Sequence, residues 1–194
     1  IILIGVEKKS MRIHVIVAHP DDAVFACGGT IAKHADRGDD VTVTYLTRGE
    51  WGGEADEDER AETRENEARN CVDILGGTPT FLDEKDGRVT ENLDTRFAIV
   101  NELRSTEPDV VLTWYPDDPH PDHRITSQLV QDAVYQVSTR NLKTEAPPAD
   151  RPEMYYFGKS WTSFNPSAFV NIDGYFEQKL NGFLAHESEV ERLE

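Results

Sequence analysis

Residues 12–30 read RIHVIVAHPDDAVFACGGT and change character abruptly at His19. The residues before it are mostly β-branched, which is typical of a buried strand, and a segment of helical length follows the turn. An imidazole and two carboxylates, Asp21 and Asp22, therefore come directly after a strand. In open α/β sheets the carboxyl ends of the strands are where ligands bind. This turn is the first candidate for a functional site.

Composition bounds the class of protein. The 194 residues are enough for one domain with a substantial core. The 37 acidic and 20 basic side chains give a formal net charge of -17, which disfavours nucleic-acid and anionic-membrane binding. No apolar run approaches the roughly 20 residues of a membrane span, so we expect no membrane insertion. Because high ionic strength screens charge repulsion, we hypothesise a halophilic source, which equal stability in dilute buffer and in molar salt would refute.

The cysteines and the first methionine suggest a compartment and a domain boundary. Cys27 and Cys71 lie in predicted helices and form no disulfide framework, which favours reduced thiols in a cytoplasmic protein. Met11 directly precedes the first convincing strand. We interpret residues 1–10 as an upstream or artificial extension without the features of a secretory signal, and residues 11–194 as a single domain. The sequence leaves the oligomeric state open, and a homo-oligomer is one possibility.

Strand and helix patterns alternate along the chain, which predicts an α/β sandwich with a mostly parallel sheet and right-handed crossovers. Gly28 and Gly29 inside the first predicted helix indicate close approach by a neighbouring strand or by the site itself. The predicted strands are 12–18, 41–47, 80–82, 109–114, 154–158 and 168–172, and the predicted helices are 22–36, 59–75, 93–106, 125–138 and 175–193.

A second polar turn follows the strand predicted at residues 109–114. It reads YPDDPHPDHR over residues 115–124, so HPDH at this strand end matches HPDD at the first. Taken alone, HPDD is also typical of a helix start that an aspartate caps. Two such turns at strand ends favour a metal site instead.

The two turns contain the ligands of a catalytic zinc site, which needs three nitrogen or oxygen donors and one position for water. His19, Asp22 and His123 supply that set. Zn2+ is the expected cofactor, although Fe2+ or another divalent ion suits the same ligands.

The remaining polar residues of the turns have roles in amide hydrolysis. Asp21 is free to act as the general base for an attacking water molecule. His120 is placed to stabilise an oxyanion, and Asp122 to hold an imidazole in one tautomer.

Three motifs resemble those of the zinc-dependent N-acetylglucosamine deacetylases of the LmbE/PIG-L family: AHPDD at 18–22, CGGT at 27–30 and HPDH at 120–123. The resemblance implies a Rossmann-like three-layer α/β/α sandwich that removes the N-acetyl group from an amino-sugar substrate. It implies the same three metal ligands and the same base, with His120 assisting the oxyanion or the leaving amine. It also implies that Arg64, ahead of Leu75-Gly76, contacts the sugar.

The chain departs from the family pattern at two places. Ala23 stands where the family usually has glutamate, and His186-Glu-Ser-Glu189 stands where it has His-x-Ser-Gln. Neither change touches the three expected ligands, and the late motif has no assigned role. Trp51 is followed by Gly52-Gly53. We weigh two interpretations equally: the segment forms a lip on which a sugar stacks, or the Trp51 ring packs over its own loop.

Other functions stay open beside deacetylation. One is an amidase that acts on a thiol-sugar conjugate. Others are a metal-binding relative without turnover and a nucleotide-binding Rossmann-like module, although two carboxylates in the first turn would repel a pyrophosphate. Metal content and acetate release would separate these functions. His14 and His34 have no acidic neighbours at ligand spacing, so we expect structural roles for both.

Overall fold

The computed structural model describes residues 10–51, 56–158 and 164–192. The extension predicted at residues 1–10 therefore lies, except for Ser10, outside the described residues, and so do the glycines at 52 and 53. Within the three described ranges, no helix combines the length and the apolar character needed to cross a bilayer.

Five strands and six helices alternate through the described part of the chain. The strands are β1 (Arg12–Val17), β2 (Asp40–Thr47), β3 (Thr78–Glu84), β4 (Val110–Trp114) and β5 (Glu153–Phe157). The helices are α1 (Asp22–Asp36), α2 (Glu57–Leu75), α3 (Leu93–Thr106), α4 (Pro121–Gln136), α5 (Phe176–Leu184) and α6 (Glu187–Glu191).

The strands form one sheet in the order β3-β2-β1-β4-β5, and every neighbouring pair is parallel. β1 lies at the centre, where Ile13 pairs with Val41 of β2 on one side and with Val110 of β4 on the other. The direction of winding reverses between β1 and β4, so the carboxyl ends of these two strands meet at the topological switch point. The predicted parallel α/β sheet is confirmed.

Apolar side chains cover both faces of the sheet. Because successive side chains of a strand point to opposite faces, Val15 and Val17 pack with α1 and α2, whereas Ile16 packs with α3 and α4. Both faces of the central strand are buried, as is usual for parallel sheets. The result is the expected three-layer sandwich, and it leaves the two polar turns at one edge of the sheet.

The prediction of a strand at residues 168–172 is wrong. The segment instead crosses α1, where Lys33 Nζ donates a hydrogen bond to the carbonyl oxygen of Asn171 at 2.7 Å. A Cβ atom at Gly29 would lie 2.7 Å from Ile172, so this segment makes the close approach to the first helix. A strand needs a neighbour with free backbone groups, and a helix surface offers none.

Two helices differ most from their predicted bounds, and α2 begins two residues before its predicted start. The terminal helix is interrupted at Ala185 and His186, which separate α5 from α6. α4 begins at Pro121, because proline suits the first turn of a helix and the side chain of His120 caps it by accepting from Asp122 N. Asp122 and His123 therefore belong to the first turn of α4.

Candidate metal centre

The turn after β1 points His19 and Asp22 towards each other. Asp22 is the first residue of α1 and is fully buried. Its Oδ2 accepts a hydrogen bond from the backbone N–H of His19 at 2.9 Å and lies 3.2 Å from His19 Nδ1. The tight turn thus fixes the carboxylate and the ring beside one another.

The turn after β4 brings His123 to the same carboxylate. Trp114, the last residue of β4, stacks on the ring of His123 with centroids 3.9 Å apart and donates a hydrogen bond from Nε1 to Asp22 Oδ2. His123 Nε2 lies 3.3 Å from Asp22 Oδ1. The carboxylate of Asp22 therefore lies between two imidazoles from two different strand ends.

Side chains of this cluster are candidate ligands of a divalent cation. Ring nitrogens of His19, His120 and His123 lie within 4.8 Å of one another. The buried Nε2 of His123 makes no hydrogen bond among the described residues. Ligands at about 2.0–2.2 Å from a tetrahedral zinc ion are themselves roughly 3.3–3.6 Å apart, close to the separations of 3.2 and 3.3 Å around Asp22. A buried ring nitrogen that makes no hydrogen bond and faces a carboxylate keeps its lone pair available for a metal ion.

Asp118 orients the second turn and was not identified from the sequence. Its Oδ1 lies 2.9 Å from His123 Nδ1 and accepts from the backbone N–H of His120 at 2.9 Å. A proton held on Nδ1 of His123 leaves Nε2 free for a metal. The only sequence signal is an aspartate pair before HPDH, and it does not say which of Asp117 and Asp118 turns inward.

His19 Nε2 lies between two further carboxylates. Asp122 Oδ2 and Asp86 Oδ1 are each 3.1 Å away. Asp122 therefore contacts an imidazole, and its role in fixing the tautomer of that ring stays a prediction. Glu50 in turn accepts from the backbone N–H of Asp86. Asp86 and Glu50 were missed because they lie in polar loops in which no spacing distinguishes them.

The carboxylates and imidazoles of this cluster shift one another's pKa values. Burial acts to lower the pKa of His19, but Asp22, Asp122 and Asp86 outweigh it and raise that pKa well above its usual value. For Asp22, burial opposes ionisation, yet His123 and His19 hold its pKa well below its usual range. Without a cation the carboxylates therefore favour a protonated His19, so a proton and a metal compete for the site.

Asp21 lies at the edge of the cluster against Arg64 of α2. Arg64 Nη2 donates to Asp21 Oδ1 at 3.0 Å, and Nη1 donates to the carbonyl oxygen of Gly49 at 3.0 Å. Gly49 has φ of 69°, and a Cβ atom there would collide with the guanidinium. The structure thus places Arg64 beside the expected base, and its role as a sugar contact stays a prediction.

His120 caps α4 at the exposed side of the cluster. Its Nδ1 accepts from the backbone N–H of Asp122 at 3.2 Å, so the proton of the neutral ring lies on Nε2. Burial, together with the neighbouring charges of His19 and His123, lowers the pKa of His120 and favours that neutral ring. A neutral imidazole with Nε2–H is a hydrogen-bond donor.

Trp51 lies beside Asp86. Its backbone N–H donates to Asp86 Oδ2 at 3.2 Å, and its ring covers Gly87 so closely that a Cβ atom there would collide with it. The side chain is nevertheless 60% exposed. The ring both packs on a turn and presents a free surface next to the cluster.

The fold and the cluster together define a Rossmann-like α/β protein with a candidate cation site at its switch point. Residues 14–134 match the model of the PIG-L family, described as GlcNAc-PI de-N-acetylase, and the chain belongs to this family. The resemblance in its sequence motifs is thereby confirmed.

Individual relatives span most of the chain. The diacetylchitobiose deacetylase of Thermococcus kodakarensis is 32% identical over 186 residues, which cover 92% of this chain and 70% of that protein. The 4-oxalmesaconate hydratase of Pseudomonas putida is 29% identical over 177 residues, which cover 85% and 69%. The solved N,N'-diacetylchitobiose deacetylase of Pyrococcus horikoshii, in complex with its inhibitor, superposes with a TM-score of 0.85 at 27% identity, covering 93% of this chain and 71% of that one.

Proposed function

We propose that the protein is a metal-dependent deacetylase that hydrolyses the N-acetyl group of an N-acetylglucosamine-containing substrate. The observation that carries this proposal is the convergence of His19, Asp22 and His123 around one buried point with the carboxylate of Asp21 at its edge. Membership of the PIG-L family and the deacetylase from Thermococcus kodakarensis support the substrate class.

The three ligands proposed for the ion are His19, Asp22 and His123, and zinc is the first candidate for that mixed nitrogen and oxygen set. When bound, such an ion lowers the pKa of a water molecule and polarises the acetamide carbonyl. Asp118 and Asp122 hold the rings of His123 and His19 in the orientation that this role needs.

The other residues move the proton and stabilise charge. Asp21 accepts a proton as the water oxygen bonds to the carbonyl carbon, and delivers it to the amine nitrogen as the C–N bond breaks. His120 donates its Nε2–H to the oxyanion that forms at the tetrahedral stage. Acetate and a free amino sugar are the products.

The experiment is metal analysis combined with an assay of acetate and amine release over a panel of N-acylated amino sugars that includes a thiol-sugar conjugate. The metal-loaded protein is expected to release the two products in equal amounts. Asp21→Asn is expected to retain the metal and to lose at least about a hundredfold in kcat, since a general base contributes 10²–10⁴-fold. Asp40→Asn, at an exposed carboxylate, serves as the control. Full activity of Asp21→Asn would refute the assignment.

A second candidate is addition of water to a carbon–carbon double bond, because a relative of 29% identity is a hydratase. The charge of this chain argues against an anionic substrate of that kind: the formal net charge is -17, and buried carboxylates surround the site. Loss of ultraviolet absorbance from an unsaturated acid, without acetate release from any amino sugar, would favour the hydratase.

A further inference from the structure

The motif at residues 186–189, which has no role assigned from the sequence, lies against α2 next to the expected base. Ser188 donates two hydrogen bonds of 2.7 Å to the carboxylate of Glu67, one from its backbone N–H to Oε1 and one from Oγ to Oε2. Glu67 is buried, and both of its oxygens are engaged by this one residue. α6 is therefore attached to α2 at a defined position.

The next residue of the motif reaches Arg64. Glu189 Oε1 lies 3.4 Å from Arg64 Nε, which is buried and makes no hydrogen bond among the described residues. Among the described residues, this guanidinium also donates hydrogen bonds to Asp21 and to the carbonyl oxygen of Gly49. Because Arg64 and Glu67 are separated by one turn of α2, the motif contacts both on the same face of the helix. A continuous line of contacts thus runs from α6 through Arg64 to Asp21.

His186, at the start of the motif, is fully buried beside these charges. Its two ring nitrogens make no hydrogen bonds within the described part of the chain. Burial lowers the pKa of His186 to about 4, with Asp21 opposing the change and Arg64 adding to it. The ring is therefore neutral at physiological pH and leaves Arg64 as the cation that faces Asp21.

α6 adds little to the apolar core. It has five residues, none of them fully buried, and its apolar Val190 is half-buried. Its polar contacts lead to the two α2 residues next to the base. Its contacts therefore act mainly on the two α2 side chains beside the site, Arg64 and Glu67.

We propose that residues 186–189 form a clamp in which Glu189 is a positioning residue that holds Arg64, and through it the carboxylate of Asp21, in place relative to the metal ligands. Ser188 and Glu67 hold α6 where Glu189 can act. The clamp rests on the proposed function, since Asp21 is the base only in a hydrolase. The clamp acts on the position of the Asp21 carboxylate. That position matters because a misplacement of about 1 Å at a reacting group can cost a hundredfold in rate.

The test measures kcat and KM of the metal-loaded enzyme on an N-acetylated amino sugar. Glu189→Ala is expected to lower kcat about tenfold, with KM within about twofold and metal content unchanged, because alignment of the base is lost while the substrate and metal sites remain. Glu189→Gln is expected to restore most of kcat, since an amide oxygen still faces Arg64. Glu191→Ala, at an exposed carboxylate of the same helix, is the matched control and is expected to match the wild type.

Two kinetic results would overturn the clamp. One is an unchanged kcat in Glu189→Ala, and the other is a rise in KM alone, which would make Arg64 a substrate contact. If Glu189→Ala does not fold, Ser188→Ala, which loses the bond from Oγ to Glu67 Oε2 and keeps the backbone bond, is expected to lower kcat in the same direction by a smaller factor, and an unchanged kcat there counts against the clamp. Hydrogen exchange of the turn at residues 19–25 reports on the clamp without activity: exchange about as slow in Glu189→Ala as in wild type also refutes it. Absence of turnover in the wild type with faster exchange in Glu189→Ala would refute the deacetylase and not the clamp.

Discussion

Asp118 is the residue on which the orientation of the second turn depends. Its Oδ1 contacts both His123 Nδ1 and the backbone N–H of His120. We predict that Asp118→Asn weakens metal binding by about 10- to 100-fold, because an amide cannot fix the ring of His123 as a carboxylate does. Competition with a chelator of known affinity measures the change. Asp117→Asn, at the exposed neighbour, is the matched control, and equal affinities of the two variants would contradict the prediction.

Trp51 gives a second prediction at the scale of a residue. Its ring rests on Gly87, beside the carboxylate that contacts His19, and is largely exposed. We predict that Trp51→Ala raises KM for an amino sugar about fivefold or more with a smaller change in kcat, because an aromatic face contributes ~1 kcal/mol or more to a stacked ring. Trp51→Phe is expected to keep most of the affinity. Tyr135→Ala, at another exposed aromatic residue, is the control, and a KM that does not change in Trp51→Ala would exclude stacking.

Residues within short motifs were predictable, and residues that join them across the fold were not. HPDD and HPDH each combine strand end, turn and polar side chains in a few positions, so the proximity of His19, Asp22 and His123 was predictable from local sequence. Asp86 reaches His19 from a loop after β3. Its place depends on how that loop folds back over the sheet edge, which no local periodicity encodes. The contact between Arg64 and Asp21 likewise depends on the packing of α2.

At the scale of elements, helices and strands with strong apolar patterns were predicted closely, and the errors lie where tertiary contacts decide. α3 has the predicted bounds, because Asn92 caps its start and an apolar face continues to its end. The segment at residues 168–172 reads AFVNI, a mostly apolar run that suits a strand, yet it lies on α1 instead of beside β5. A short apolar run forms a strand only when a neighbouring strand is available for pairing.

The end of α2 gives a prediction at this scale. Gly76 ends the helix with φ of 82°, and a Cβ atom there would lie 2.8 Å from Ala35 Cβ. Gly76→Ala is expected to lower the free energy of unfolding by about 2 kcal/mol, from backbone strain plus this contact. Gly38 has φ of 84° with nothing within 4 Å, so Gly38→Ala isolates the strain. Urea unfolding measures both, and a larger loss in Gly38→Ala would contradict the contact term.

For the whole molecule, His14 in the central strand links stability to pH. Its ring is fully buried between Thr44 Oγ1 at 2.6 Å and Thr106 Oγ1 at 2.9 Å, the structural role that we expected. Burial lowers its pKa to about 3. In the unfolded chain the pKa is about 6.5, so between pH 6.5 and 3 the unfolded state binds a proton that the folded state does not. This contribution to stability is therefore lost as the pH falls through that range.

We predict that His14→Gln removes this pH dependence. Relative to the variant, the wild type is expected to lose up to about 1.4 kcal/mol of unfolding free energy per pH unit below pH 6.5. Burial raises the pKa of Glu102, which has the opposite effect on stability, but Glu102 is present in both proteins and cancels in the difference. Denaturant unfolding at pH 7, 6 and 5 measures the slopes, and parallel slopes would refute the prediction.

The candidate metal centre is divided between the ends of β1 and β4, and this division has a mechanical consequence. The contact between His19 and Asp122 joins groups 103 positions apart in the chain, across the line where the two halves of the sheet meet. An ion held by ligands from both halves is a cross-link that exists only in the folded state, so it stabilises folding by an amount that grows with the logarithm of its affinity. Removal of the ion by a chelator is expected to lower Tm by several degrees along with activity. The metal ion would then stabilise the fold as well as take part in the reaction.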